Sequence, residues 1–563
     1  MGRIWTCTLA GLLVLAVLLA GGIPLYAQSQ TDRDAVKQNI EALRSTSNVT
    51  RQTAALNLGR VGQGDVTAVS ALINAASDTD WDVRINVAWS LGQLKDFHAR
   101  GTLLSLLRDK VPEVRMNAAT ALGSLGDVTA GNDLIAALND QYAIVRKAAA
   151  AALGQLKYSA AGPALAAALK DQDADVRNNA AIAIRDMGFS TPSGTYTEGL
   201  KDSDSRVRSN VAEGMGTSGN KTDTPFLIAS LNDPSPSVRK SVALSLGTLG
   251  DPAAIKPLVG RLGDDNEMVR QAAAEALGKI GPAAIPSLAA VIKTGNQVVR
   301  DGAITALAKI GKPAVPTLLE LLAAEKAVKI KAVWALGEIK DTTVIPNLIA
   351  LFKDADQEVQ DSAVTAVGKM GAAAVKALQE ALTDADSPVK INVAKALGLI
   401  ADPETITTLL DLLKDPDEKV VQAVSESLGK MGEKAMKPLM ECLASGDELQ
   451  RVGAINALAK MGKPAADVLI KSLSDPNPQV RSSAALGLGQ MAEKSSVTPL
   501  MNALENDKEP SVKVSCAWAL GQVGDGSLVG SMTTIKIRAA AKGEKELVTA
   551  VEKAIAKLGG PLK

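Results

Sequence analysis

Asp264 to Gly281 reads DDNEMVRQAAAEALGKIG, and the same wording returns along the chain. With the glycine of ALG, Gly278, taken as a marker, the equivalent position falls at Gly59, Gly92, Gly123, Gly154, Gly216, Gly247, Gly337, Gly368, Gly398, Gly429, Gly489 and Gly521. Arg185, Ala308 and Ala459 fill three gaps in register. The sixteen repeats so defined are 29 to 33 residues apart, mostly 30 or 31. A fixed period of this size marks a solenoid, in which each repeat buries an apolar face against its neighbours.

Each repeat reads as two helices. Directly before the marker stands an apolar residue in all sixteen repeats, and nine before it stands Val in fourteen. With small residues between, this spacing puts one apolar stripe along a helix that the marker glycine is expected to terminate as a C-terminal cap. Upstream, segments such as AAIKPLVGRL (253–262) supply a first helix, with an early proline tolerated in the opening turn, as at Pro225, Pro286, Pro316, Pro346 and Pro499.

Two polar columns are as regular as the core. Fourteen before the marker Asp appears in twelve repeats, and eight before it Arg or Lys appears in fourteen. Such an Asp sits where the turn between the helices meets the second helix. Its carboxylate can accept amide hydrogens there and face the Arg of its own or a neighbouring repeat. Asp109, Arg115, Asp171, Arg177, Asp233, Arg239, Asp264 and Arg270 are therefore expected to form a structural ladder and to carry no chemistry.

The combination of an early proline, an Asp in the turn and Val-Arg opening the second helix resembles the HEAT repeat. The VRxxAAxALGxIGD wording resembles the short form named for phycobilin lyases. The likeness covers nearly the whole chain after about residue 30, although the period is shorter than the roughly 40 to 47 residues usual for HEAT units. Ankyrin and tetratricopeptide wordings are absent. The resemblance implies an all-α fold: a right-handed α-solenoid of about sixteen two-helix repeats plus a divergent C-terminal cap, with second helices lining the concave face.

Three segments are expected. Residues 1–27 carry an apolar run, Leu9 to Ala20, behind a single charge at Arg3, and end in a small-residue site at Ala27. This reads as a secretory signal peptide, or as a membrane anchor if uncleaved, since the uncharged stretch is just long enough to span a bilayer. Export across the cytoplasmic membrane, to a periplasmic or other extracytoplasmic location, follows. Residues 28–526 form the array. It includes a glycine-rich repeat near 186–223, with a shortened first helix around Tyr196. Residues 527–563, ending EKELVTAVEKAIAKLGG, read as capping helices.

Composition narrows the chemistry. Lys plus Arg equals Asp plus Glu at 61 each, and only 2% of residues are aromatic, which leaves neither a basic surplus nor a stacking platform for nucleic acid. The single histidine, His98, lies in a loop, so His-based metal clusters and nucleophile systems have no partners to draw on. No HE dipeptide exists, which sets the chain apart from the HEAT-like deoxyhypusine hydroxylases. GMGTSG (214–219) fits GxGxxG but follows a helix and contains a repeat marker, so it is no dinucleotide loop. Cys442 and Cys516 fall two repeats apart, about 16 to 20 Å, too far for a disulfide. No catalytic residue, metal or cofactor is expected.

Binding is left to the positions that the repeat does not dictate. Residues ten, seven and three before the marker vary freely and share one side of the second helix. In three repeats that row pairs a β-branched residue with a tryptophan: Ile85 with Trp89, Ile330 with Trp334, Val514 with Trp518. Exposed, such pairs have the composition of a hot spot for a protein or peptide partner. Packed sideways on the adjacent helix, they would be groove fillers. The expected function is a non-enzymatic extracytoplasmic scaffold. The competing reading is a lyase-like component that, with a partner chain, holds a tetrapyrrole.

Overall fold

The computed structural model describes residues 30–188, 197–383 and 385–559; the segment 1–27 expected to be a leader, the segment around Tyr196 expected to hold a shortened first helix and the ladder position Asp384 lie outside them. The chain divides into two compact units at Ser287 and Leu288. Every regular element among the described residues of either unit is a helix, and none alone is long and apolar enough to cross a membrane.

In the first unit several repeats open with a single 3-10 turn that runs into a short helix, as Pro252–Ala254 runs into Ile255–Arg261. In that repeat an aspartate starts the turn: Asp251 accepts the Ala253 amide at 3.0 Å, filling a donor the helix end cannot satisfy itself. A longer second helix follows, of which Trp81–Leu94, Pro112–Leu125 and Pro236–Leu249 are examples. These second helices lie side by side. Their Val and Leu columns (Val83, Val114, Leu91, Leu122) have no exposed surface and form the core with Leu103 and Leu134 of the first helices. Burying one such side chain stabilises by about 1.5 to 3 kcal/mol, which is why a stripe of this spacing cannot stay open.

The marker glycine does not cap the helix. Gly247 lies inside Pro236–Leu249, and the left-handed cap is Gly250, three residues later, at φ +62°. What requires glycine at 247 is its neighbour. A Cβ there would stand 2.5 Å from Ala276 Cα of the next second helix, closer than side chains approach backbone. The cap position is the more tolerant of the two, since Lys95 at φ 52° fills the equivalent place in another repeat.

The glycine-rich repeat keeps its second helix, Ser205–Ser218, with GMGTSG running through its last turn and not through a loop. One residue breaks the small-residue pattern there. Asp223, at the end of its 3-10 turn, is 4% exposed where other repeats place fully buried alanines such as Ala130, Ala161 and Ala254. Burial pushes its carboxyl above the ordinary range.

The second unit repeats the plan from Gln297–Ile310 to Pro510–Val523. The tail is more than a lid: after Val529–Ala541 the terminal helix Lys545–Lys557 docks like any second helix. A Cβ on the last marker, Gly521, would stand 2.9 Å from Ala554 Cα, the kind of contact that Gly92, Gly154 and Gly247 make with Ala121, Ala183 and Ala276. The expected cap is thus a seventeenth, diverged helix pair. Cys442 and Cys516 are both free and buried, and burial pushes the Cys516 thiol up to about 12.

Candidate interaction surface

Two sets of residues run from repeat to repeat across the second helices: the charged ladder at their start and the variable row along their face.

Most ladder arginines of the first unit hold two repeats at once. Arg115 donates from Nη1 to the carbonyl of Asp109 in its own turn at 2.7 Å, and from Nε and Nη2 to the carboxylate of Asp140 in the next at 2.7 and 2.9 Å. Asp109 in turn takes the fork of Arg84 at 2.7 and 3.0 Å and the Val111 amide at 2.9 Å. The two alternatives left open by sequence are therefore both realised, by different atoms: carbonyl to the Arg of the same repeat, carboxylate to the Arg of the preceding one. Asp171 is held by Arg146, Arg177 by Asp202, Asp233 by Arg208 and Arg239 by Asp264 in the same way. Arg270 differs, since Thr294 stands where its carboxylate would be in sequence, and its hydrogen bonds among the described residues go to the Asp264 and Asp265 carbonyls.

The ladder is plainer in the second unit. Lys329 and Lys390 replace the fork by single contacts to Asp354 and Asp415 at 2.9 and 2.7 Å. Arg300 pairs with Glu325, Arg451 with Asp475, and Arg481 with Asp507. Lysine is a point charge where arginine is a rigid bidentate donor, so these joints are less tightly specified.

The most enclosed rung is Arg239 with Asp264, whose side chains are 9% and 2% exposed. Burial alone would raise the Asp264 carboxyl, but the Arg239 guanidinium and the Asn266 amide outweigh it and hold the carboxyl at about 2. A depressed carboxyl contributes stability that is complete above its unfolded value and is lost as pH falls through the folded one. Acidification from pH 4 to pH 2 is therefore expected to remove about 2 kcal/mol at this rung. Asp223 has the opposite sense, a cost at neutral pH that protonation relieves. Urea midpoints at pH 7, 4 and 2.5 check the balance; a midpoint that rises on acidification would contradict the ladder's dominance.

The row behaves as a surface. At ten, seven and three residues before the marker no described side chain is buried, whereas the columns beside it are. Ile85, Trp89, Ile330, Trp334 and Val514 are half-buried, and Trp518 is 39% exposed. Lys331 stands over the Trp334 ring, 4.1 Å from its centre. Trp518 combines the two expected roles: a Cβ on Gly489 would meet its ring at 2.7 Å, so it packs on the preceding helix, yet its far side stays open. That side, with Val514, lines a groove of about 920 Å³ whose opposite wall is the terminal helix, including Glu546, Thr549, Ala550 and Lys553.

Sequence reasoning missed that wall. Its signal was present but faint, because Ala554, Ile555 and Ala556 keep the small, apolar, marker order after a 35-residue step from Gly521. Two other exposed aromatics lie off the row. Trp81 and Tyr142, each 44% exposed, sit at the starts of second helices, and Arg115 stacks over the Tyr142 ring at 5.6 Å. His98 is exposed, with Nδ1 2.7 Å from Asp96 Oδ1, and no cluster able to hold a metal occurs among the described residues.

Stacked helix pairs joined by a repeating polar ladder define an α-solenoid. The family model for HEAT repeats matches residues 36–104, 69–154, 131–195, 194–278, 261–326, 315–391, 375–459 and 466–556, and the chain belongs to that family. A curated relative, the uncharacterized phycocyanin operon protein Z of Pseudanabaena tenuis, is 30% identical over 125 residues. The match takes in 21% of this chain and 62% of that protein's length. Among solved structures, the karyopherin Kap121p bound to Pho4p aligns at TM-score 0.46 and 13% identity, covering 98% of this chain and 78% of that one. Importin beta aligns at TM-score 0.41 and 16% identity, covering 98% and 91%.

Proposed function

We propose that this chain is a non-catalytic scaffold that binds protein or peptide partners along the row of its second helices, exported by its leader to an extracytoplasmic compartment. The observation that carries the reading is the row itself: three positions per repeat that stay at the surface and vary while the columns around them are fixed. Variation confined to one face supplies a specific contact surface without disturbing the stack. Replacing Trp89 or Trp334 by alanine is expected to weaken capture of the partner from the envelope fraction by about 2 kcal/mol and to leave the melting temperature nearly unchanged. If the same variants instead lose about 3 to 5 kcal/mol of stability with capture intact, the tryptophans are groove fillers and the row is not the site. Export is tested separately by the N-terminal residue of the mature protein, expected at Gln28.

A second reading draws on the likeness to the phycocyanin operon protein: a lyase-like component that acts on a tetrapyrrole with a partner chain. Titration with a bilin, followed by absorbance, decides it. A shifted and saturable spectrum supports that reading, and an unchanged one removes it.

A further inference from the structure

We propose that the last repeat is a homodimer interface, in which the terminal helix Lys545–Lys557 and the Val514 and Trp518 face beside it pack on the same surface of a second copy. This goes beyond partner binding along the row and does not depend on it.

Within the array some row charges are met from one second helix to the next: Arg206 lies 3.1 Å from Asp175, and Lys395 lies 3.4 Å from Asp361. The terminal helix carries the same row positions, counted from Ala556. Its row residues Glu546 and Lys553 are exposed and form no ion pair among the described residues. They stand seven residues apart, about 10 Å along the helix, with Thr549 and Ala550 between them on the same face.

That order, acidic, small, small, basic, is its own complement when turned end for end. In an antiparallel pair related by a two-fold axis, Glu546 faces Lys553 of the second copy and Lys553 faces Glu546 of the second copy. Thr549 and Ala550 then meet at the crossing, where small side chains let helix axes approach to about 8 Å. The exposed side of Trp518 supplies the apolar area, and the groove of about 920 Å³ it lines with Val514 receives the second helix's flank. A foreign helix would need to bring this pattern with it; a second copy has it by symmetry.

Sedimentation equilibrium of the full chain tests the proposal. The expected species has twice the mass of one chain. Glu546→Lys or Lys553→Glu alone places two like-charge contacts at the interface and should raise the dissociation constant at least about tenfold. The combined E546K/K553E exchange should restore it, and Trp518→Ala should weaken the dimer in either charge background. All these side chains are surface groups, so unchanged helical circular dichroism confirms folding in each variant. A wild-type chain that is monomeric at every concentration overturns the proposal. So does a dimer indifferent to both single reversals, or one that the double exchange fails to restore.

Discussion

Alanine at Gly247 is expected to destabilise the first unit by about 3 kcal/mol, although it adds one methyl group to a good helix position. The helix itself would gain from the change, since glycine in a helix interior costs about 1 kcal/mol relative to alanine. The loss comes from the neighbour: the new Cβ would stand 2.5 Å from Ala276 Cα and 2.8 Å from its Cβ. Backbone cannot swing aside as a side chain does, so the two second helices must part along their length and give up contacts among Leu246, Leu277 and Val242, all without exposed surface. Gly250 is the control. It has φ +62° and nothing near its missing Cβ, so alanine there should cost only about 1 kcal/mol in left-handed strain. Urea denaturation ranks the two variants, and hydrogen exchange over 236–249 and 267–280 locates the loss. A Gly250 variant less stable than the Gly247 variant would return the marker to the role of a cap.

Removing the Asp264 carboxylate is expected to cost about 3 kcal/mol, because it leaves the enclosed Arg239 guanidinium without its main counterion. Arg239 would keep the Asp233 carbonyl at 3.0 Å and Asp265 at 2.5 Å, the latter 87% exposed and so in part screened. Glu325→Ala, at a rung whose acid is 61% exposed, should cost no more than about 0.5 kcal/mol. Replacing both partners of the buried rung, Arg239→Met with Asp264→Leu, should recover most of the loss, since the penalty lies in the unpaired charge more than in the missing bond. If Asp264→Ala and Glu325→Ala unfold at the same urea concentration, burial does not govern the ladder.

Much of this architecture could be read from residue spacing, and the parts that could not share one physical cause. Helix existence, the Val and Leu columns and the Asp and Arg columns are properties of a single repeat, so periodicity alone exposes them. The reason for the marker glycine is a distance between two helices. ALG followed by IG offers two glycines three residues apart, and nothing local says that Gly247 faces a neighbour while Gly250 turns the chain. The direction of each rung is likewise a relation between repeats: Arg115 reaches forward to Asp140 with its fork and back to Asp109 with one nitrogen. Of the candidate site, the row was legible from its freedom to vary. The groove beside Trp518 was not, because its other wall comes from a helix whose composition had drifted away from the repeat.

The guanidinium fork has one more consequence. Arg84 with Asp109, Arg115 with Asp140 and Arg146 with Asp171 close their joints through the same atoms, each with Nε 2.7 Å from the acceptor. Every such joint is a standard coupling, in which the outgoing half of one segment fits the incoming half of any other. A gene built this way can gain or shed a segment by unequal recombination and still encode matched joints on both sides of the seam. Over evolutionary time, therefore, the number of segments is the inherited property freest to drift, while the chemistry of the joint itself stays fixed.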